Sequence, residues 1–223
     1  MRYQFDFSVI WENWSYLAAG LHIAAIVTVM SLAICLPIAA VVAMCQLSKR
    51  RWVRSPATAY VTVFRNTPTL VQLIWVYYCL PILLNVELGA MNACVLALAL
   101  SAAAYLGEIF RGGIQSIDIG QVEAGRAIGL NYFQIMRLIV FPQALRRMIP
   151  PTVNEIVTLF KYSSLVSVLG VADLTYQAQV LSSTTFRPIE IFTFLGLEYL
   201  IICTLISALA RRIEHRLATP GRG

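Results

Sequence analysis

The chain has 223 residues, of which 59% are apolar and 13% charged, with a mean hydropathy of +0.73 and a formal net charge of +6. A water-soluble domain of this size carries about 45–50% apolar and about 25% charged residues, so there is too little polar surface here to coat a globule. The apolar residues fall in long runs that do not alternate, which argues against a β-barrel and for helices crossing a bilayer at roughly 20 residues each.

Residues 1–15 carry Arg2, Asp6 and Glu12, and Trp11, Trp14 and Tyr16 have the character of interface anchors. The first apolar run, 16–47, is too long for the core of a cleavable signal peptide. The second run covers 57–84 and contains Phe64-Arg65-Asn66-Thr67-Pro68. Thr67 followed by Pro68 marks an N-cap and first helical position. The spanning helix is therefore predicted to begin at Pro68, with 57–64 approaching along the interface and Arg65 snorkelling to water. The third run is 91–110, where Glu108 and Arg111 are spaced to pair at its end. The fourth and fifth runs are 151–171 and 189–210, and the connections between runs are short except for 112–150. One all-α membrane domain with five spanning helices is expected. Cys35, Cys45, Cys79, Cys94 and Cys203 lie inside the runs with no CxxC spacing, so they are packing residues rather than metal ligands or disulfides.

The charges orient these spans. Thirteen of the seventeen basic residues follow the first, third and fifth runs: Lys49, Arg50, Arg51 and Arg54, then Arg111, Arg126, Arg137, Arg146 and Arg147, then Arg211, Arg212, Arg216 and Arg222. The other side holds Arg2 and Arg187 among Asp6, Glu12, Glu87 and Asp173. The positive-inside rule puts the N-terminus outside and the C-terminus in the cytoplasm. Basic residues that flank apolar spans are explained by this orientation, and no nucleic-acid partner is expected.

Segment 112–150 is the one connection with room for a function. Within it, 121–128 is predicted to be a short helix with Glu123 in its first turn and Gly129 as its stop. Asn131 and Gln134 form a variant capping box that opens a second helix, which Pro142 interrupts. Two short helices turning sharply form a knob. Ala124, Gly125, Ala127 and Gly129 would let another protein approach closely. By shape alone, a docking knob and an ordinary solvated loop remain equal readings.

The spacing adds more. Glu123-Ala124-Gly125, Gly129, Ile139 and Pro142 resemble the EAA loop of ATP-binding-cassette importer permeases, whose pattern is Glu-Ala-Ala, three residues, Gly, nine residues, Ile, one residue, Leu, Pro. Every spacing is met; Gly125 replaces the second Ala and Phe141 the Leu. Phe64-Arg-Asn-Thr-Pro-Thr-Leu-Val-Gln-Leu73, Tyr105-Leu-Gly-Glu-Ile-Phe-Arg-Gly-Gly-Ile-Gln-Ser-Ile117, Lys161-Tyr-Ser-Ser-Leu165 and Asp173-Leu174-Thr175 are similar to the polar amino-acid branch of that family, the glutamate/aspartate or glutamine permeases. The resemblance implies the type I importer permease fold in the bacterial inner membrane. It also implies two ATPase subunits, a second permease subunit, identical or homologous, and an extracytoplasmic solute-binding protein. Glu123, Ala124, Gly125, Gly129 and Pro142 would then couple to the ATPase.

The chain has no Gly-x-x-x-x-Gly-Lys-Ser/Thr phosphate loop, because its only lysines, Lys49 and Lys161, follow Ser48 and Phe160. No cofactor is expected in this chain, and ATP with Mg belongs to the partner ATPase. His22 and His215 stand alone and are expected to be structural. The polar groups inside the spans are the candidates for a substrate path: Asn154, Glu155, Lys161 and Ser164 on the fourth, and Glu198 on the fifth. Lys161 could meet a substrate carboxylate or a buried acid. Glu198 could pair with it, pack, or face the substrate. The rival reading is a self-sufficient ion-driven carrier or channel. Five runs do not divide into two halves and show no internal repeat, as such carriers usually do. The sequence does not name the amino acid.

Overall fold

The computed structural model describes residues 3–217, with side chains described through Arg212; Arg2, Arg222 and the side chains of His215 and Arg216 lie outside the described residues. No strand occurs among the described residues. In chain order the helices are α1 (Ser8–Glu12), α2 (Trp14–Leu47), α3 (Arg51–Arg65), α4 (Thr69–Leu84), α5 (Ala90–Gln115), α6 (Ile119–Ala127), α7 (Tyr132–Ile135), α8 (Phe141–Tyr162), α9 (Leu174–Thr185) and α10 (Pro188–Leu217). A π-helical turn, Met136–Val140, joins α7 to α8, and a 3-10 segment, Ser163–Leu169, follows α8.

Three helices are long and apolar enough to cross a bilayer as they stand: Trp14–Leu47, Ala90–Gln115 and Pro188–Arg212. Two bent pairs supply up to two more crossings: α3 with α4, bent by 108°, and Tyr132–Leu169 with α9, bent by 50°. Helix α2 would be about 51 Å long at 1.5 Å per residue, more than the hydrocarbon core needs.

Helix α5 is the hub. Its Ala93, Ala97, Ala99, Ala102, Ala103 and Ala104 are buried, and such small side chains let neighbouring backbones come close. Around it the main core gathers Val27, Cys35 and Ala39 of α2, Leu73 and Val76 of α4, Leu159 of α8, and Val166. The cysteines are all free. With no hydrophobic drive between helices inside lipid, this interdigitation of small and branched side chains is what holds the bundle.

The second span breaks close to where the sequence predicts. Pro68 is the N-cap of α4, one residue earlier in role than expected, and α3 ends at Arg65. Pro68 cannot donate a backbone hydrogen bond, so α3 cannot run through it. Gln72 spans the break with bonds to Phe64 and Thr67.

The fourth span differs more from expectation. Helix α8 begins at Phe141 and runs through Pro142, Pro150 and Pro151 to Tyr162, whereas the sequence predicts a span over 151–171. Pro142 does not stop the chain: it lies in the first turn of α8, where its missing N–H costs least. The turn before it opens to π geometry, so the helical path from Tyr132 continues. At the other end Ser163, Ser164 and Ser167 donate to the carbonyls of Phe160, Lys161 and Ser164, each at 2.7 Å, and the helix tightens to 3-10 there.

Two polar clusters mark opposite ends of the bundle. At one, Arg111 pairs with Glu108 through Nε–Oε2 at 3.0 Å and a second contact, and Gln46 of α2 approaches Glu108 at 3.4 Å. At the other, the N-terminal segment is tied to the start of α10. Glu190 is fully buried and accepts from Tyr3, from the Asp6 backbone N–H at 3.0 Å and from Arg187 at 3.2 Å. Arg187 also donates to the Gln4 carbonyl at 3.1 Å and lies 3.5 Å from Asp6.

Candidate functional site

The knob predicted over 112–150 is built from both ends inward. Asp118 caps α6 by accepting from the Gly120 N–H at 2.7 Å. The far end closes in a Schellman arrangement: Leu130 N–H donates to Gly125 O at 3.1 Å and Gly129 N–H to Arg126 O at 3.0 Å. That closure puts Gly129 at φ +81°, a conformation glycine adopts freely. The next helix opens on the predicted capping box. Asn131 Oδ1 accepts from the Gln134 N–H at 3.0 Å, and Gln134 Oε1 accepts from the Asn131 N–H at 2.9 Å.

The five coupling candidates sit on this one knob, in different roles. Glu123 and Ala124 are exposed on α6, and Pro142 is exposed at the foot of α8. Gly125 is buried instead. A Cβ on it would lie 2.8 Å from Ile139 Cδ1 and 3.1 Å from Ile135 Cγ1, so its small size lets α6 pack on its own chain rather than on a visitor. Ile135, Val140, Ala144 and Met148 form a small core beneath, with Ile117. The outer surface presents Ile128 at 76% exposure and Tyr132 at 74%, with Phe133 and Ile119 also exposed. Exposed apolar side chains of this kind, on the same short helices as an exposed acid, suit a protein partner.

The substrate-path candidates do not form one cluster. Asn154 and Lys161 are both exposed and seven residues apart, so they share a face of α8 with Thr158, whose hydroxyl donates to Asn154 O at 2.9 Å. Glu155 is half-buried beside that face. Ser164 is half-buried and spends its hydroxyl on the Lys161 carbonyl. Glu198 is buried on α10, and its Oε2 has no hydrogen-bond partner among the described residues. The ion pairs among the described residues include neither Lys161 nor Glu198, so the two do not pair within this chain. Glu108 and Arg111 do pair, as their spacing predicts. Sequence reasoning passed over Glu190, Gln72 and the N-terminal tether. Their partners lie up to 187 residues away or across a helix break, and no short motif signals that.

Outside the membrane, hydrogen bonds from Ser8 hold the Asp6 carboxyl below the usual carboxylate range. The bond to Glu190 raises Tyr3 above the usual phenol value.

Comparison with known proteins adds to this geometry. Residues 35–219 match the family described as binding-protein-dependent transport system inner membrane component. The chain is 35% identical to the arginine transport system permease protein ArtQ of Bacillus subtilis (strain 168), covering 95% of this chain and 97% of that one. It is 38% identical to the nopaline transport system permease protein NocM of Agrobacterium fabrum (strain C58), covering 94% and 90%. With the glutamine transport system permease protein GlnP of Escherichia coli (strain K12) it shares 35% identity over 96% of this chain and 98% of that protein. Among solved structures, an amino acid ABC transporter crystallised with histidines superposes with a TM-score of 0.90 at 32% identity, covering 96% of this chain and all of the other. An inward-facing MetNI methionine ABC transporter gives a TM-score of 0.70 at 22% identity over 93% and 94%, a likeness of fold.

Proposed function

The chain belongs to the binding-protein-dependent transport system inner membrane components and has the type I importer permease fold, and from that premise we propose that it forms the membrane path for a polar amino acid and transmits the work of a separate ATPase through its α6–α7 knob. The observation that carries this reading is the knob itself. Side-chain caps open α6 and α7, a Schellman closure ends α6, and Gly125 packs against Ile139, which stiffens the knob. Its outer face offers Glu123 and Ala124 with an apolar fringe. A stiff knob joined through a π turn to α8 can pass a push from a docked protein into a spanning helix.

ATP and Mg would be bound by two ATPase subunits on the side where the basic clusters lie, which the positive-inside rule makes the cytoplasm. A second permease subunit would complete the path, and an extracytoplasmic binding protein would deliver the substrate. The amino-acid assignment draws on the relatives, whose names specify arginine, nopaline and glutamine transport. Asn154 and Lys161, exposed on one face of α8, support a place for that face in the substrate path, since polar groups on a spanning helix usually face a cavity and would suit a zwitterion. A self-sufficient carrier is disfavoured by the family and by a chain with no repeated halves.

Glu123→Lys tests the docking. The complex should still assemble in the membrane, while ATP hydrolysis no longer drives uptake in vesicles. Normal uptake by this variant would refute the docking assignment.

A further inference from the structure

A cleft of about 710 Å³ opens between the end of α2, the whole of α3 and the basic end of α5. Arg54, Arg65 and Arg111 line it, and Glu108 is the one acid on its wall. Arg111 is already paired with Glu108, so that couple is neutral. Arg54 and Arg65 are exposed and lie in no ion pair among the described residues, and Arg65 rests with its guanidinium 5.5 Å from the centre of the Tyr105 ring. They are eleven residues apart on one face of α3, about 16 Å along the helix, so the cleft is cationic along its length. Gln46 lines the same cleft, and its buried Oε1 has no hydrogen-bond donor. The cleft thus offers two unpaired guanidinium groups and one unsatisfied acceptor. A ligand that answers both carries a phosphate-type anion and hydroxyl donors.

The setting narrows the ligand. Lys49, Arg50, Arg51 and Arg54 form a basic run between the end of α2 and the start of α3, Arg54 lines the cleft, and Trp52 within the run is 93% exposed. A Trp projecting among basic residues just beyond a spanning helix belongs to the headgroup layer of a bilayer. Basic pockets between spanning helices at that depth bind anionic headgroups. We propose that this cleft holds the headgroup of a hydroxyl-bearing anionic phospholipid of the phosphatidylglycerol type, with one of the Arg54 and Arg65 guanidinium groups on the phosphodiester, the other adding attraction along the cleft, and Gln46 accepting from a headgroup hydroxyl. This goes beyond the transport reading and does not depend on which leaflet the basic end faces.

The test uses the chain assembled with its partner subunits, in phosphatidylcholine nanodiscs with and without phosphatidylglycerol in both leaflets. Lipid retained by the complex is read by native mass spectrometry. The wild type should retain phosphatidylglycerol in preference to phosphatidylcholine. Arg54→Gln with Arg65→Gln should weaken that retention by about tenfold or more, since hydrogen bonds to charged groups are worth roughly that each. Arg54→Lys with Arg65→Lys should restore most of it, which separates lost binding from lost folding. Arg50→Gln, outside the cleft wall, should change retention little. Equal retention by the double Gln variant overturns the proposal, as does an equal loss in Arg50→Gln, which would mean diffuse attraction. Inorganic phosphate competing as strongly as the lipid overturns it too, in favour of a free anion.

Discussion

Gln72 Nε2 donates to the carbonyl oxygen of Phe64 at 2.8 Å, across the break between α3 and α4. The same nitrogen reaches Thr67 O at 3.0 Å and Thr67 Oγ1 at 2.8 Å. A helix end leaves its last carbonyls without a donor from the helix itself. Gln72, buried, supplies the missing donor, so the 108° bend is stable rather than frayed.

Gln72→Leu keeps the volume and removes that donor. The unsatisfied acceptors should cost about 1–3 kcal/mol, seen as a lower melting temperature of the assembled complex. Uptake per folded complex should fall as well, because α3 and α4 would no longer hold one angle.

Gly129→Val forces a β-branched side chain into a φ of +81°. Left-handed backbone costs about 1–2 kcal/mol for a residue with a Cβ, and more for a branched one. The knob should loosen without unfolding the bundle. The expected readout is ATP hydrolysis that no longer responds to the loaded binding protein, measured in proteoliposomes. Asn131→Ala removes half of the capping box at about 1 kcal/mol and should show a weaker form of the same defect.

Lys161→Ala should abolish uptake while the complex still co-purifies intact, because Lys161 is exposed and makes no ion pair among the described residues. Lys161→Arg should recover part of the uptake. Full uptake by Lys161→Ala would remove this face of α8 from the substrate path.

The N-terminal tether should be acid-labile. Asp6 titrates below its ordinary value in the folded chain, so its contribution is complete above the unfolded pKa of about 3.9 and fades as pH falls below it. Protection of the amides of residues 4–8, taken relative to the intrinsic exchange rate at each pH, should therefore be high at neutral pH and fall in acid. Asp6→Asn should already exchange faster at neutral pH and respond less to acid. Arg187→Ala should release the segment at neutral pH, since it frees Gln4 and leaves buried Glu190 without its cation.

The sequence by itself determined the class of this protein. Length and hydropathy of the runs fix helices that must satisfy their own backbone in lipid, and the basic clusters at Lys49–Arg54 and beyond share one end of the bundle. Local chemistry was equally legible where the partners are neighbours. The Asn131–Gln134 box, the Gly129 stop and the Glu108–Arg111 pair are each contained within a few residues. Tertiary structure decided the rest. Pro142 marks a helix break by local rules, yet a π turn carries the helix through it because Ile135, Val140 and Ala144 are packed on both sides. Gly125 suggests an opening for a partner, and packing gives it to Ile139. Lys161 and Glu198 carry opposite charges, but α8 and α10 present them to different surroundings. Periodicity reports which face is apolar; only the crossing of helices decides which side chain on that face meets which.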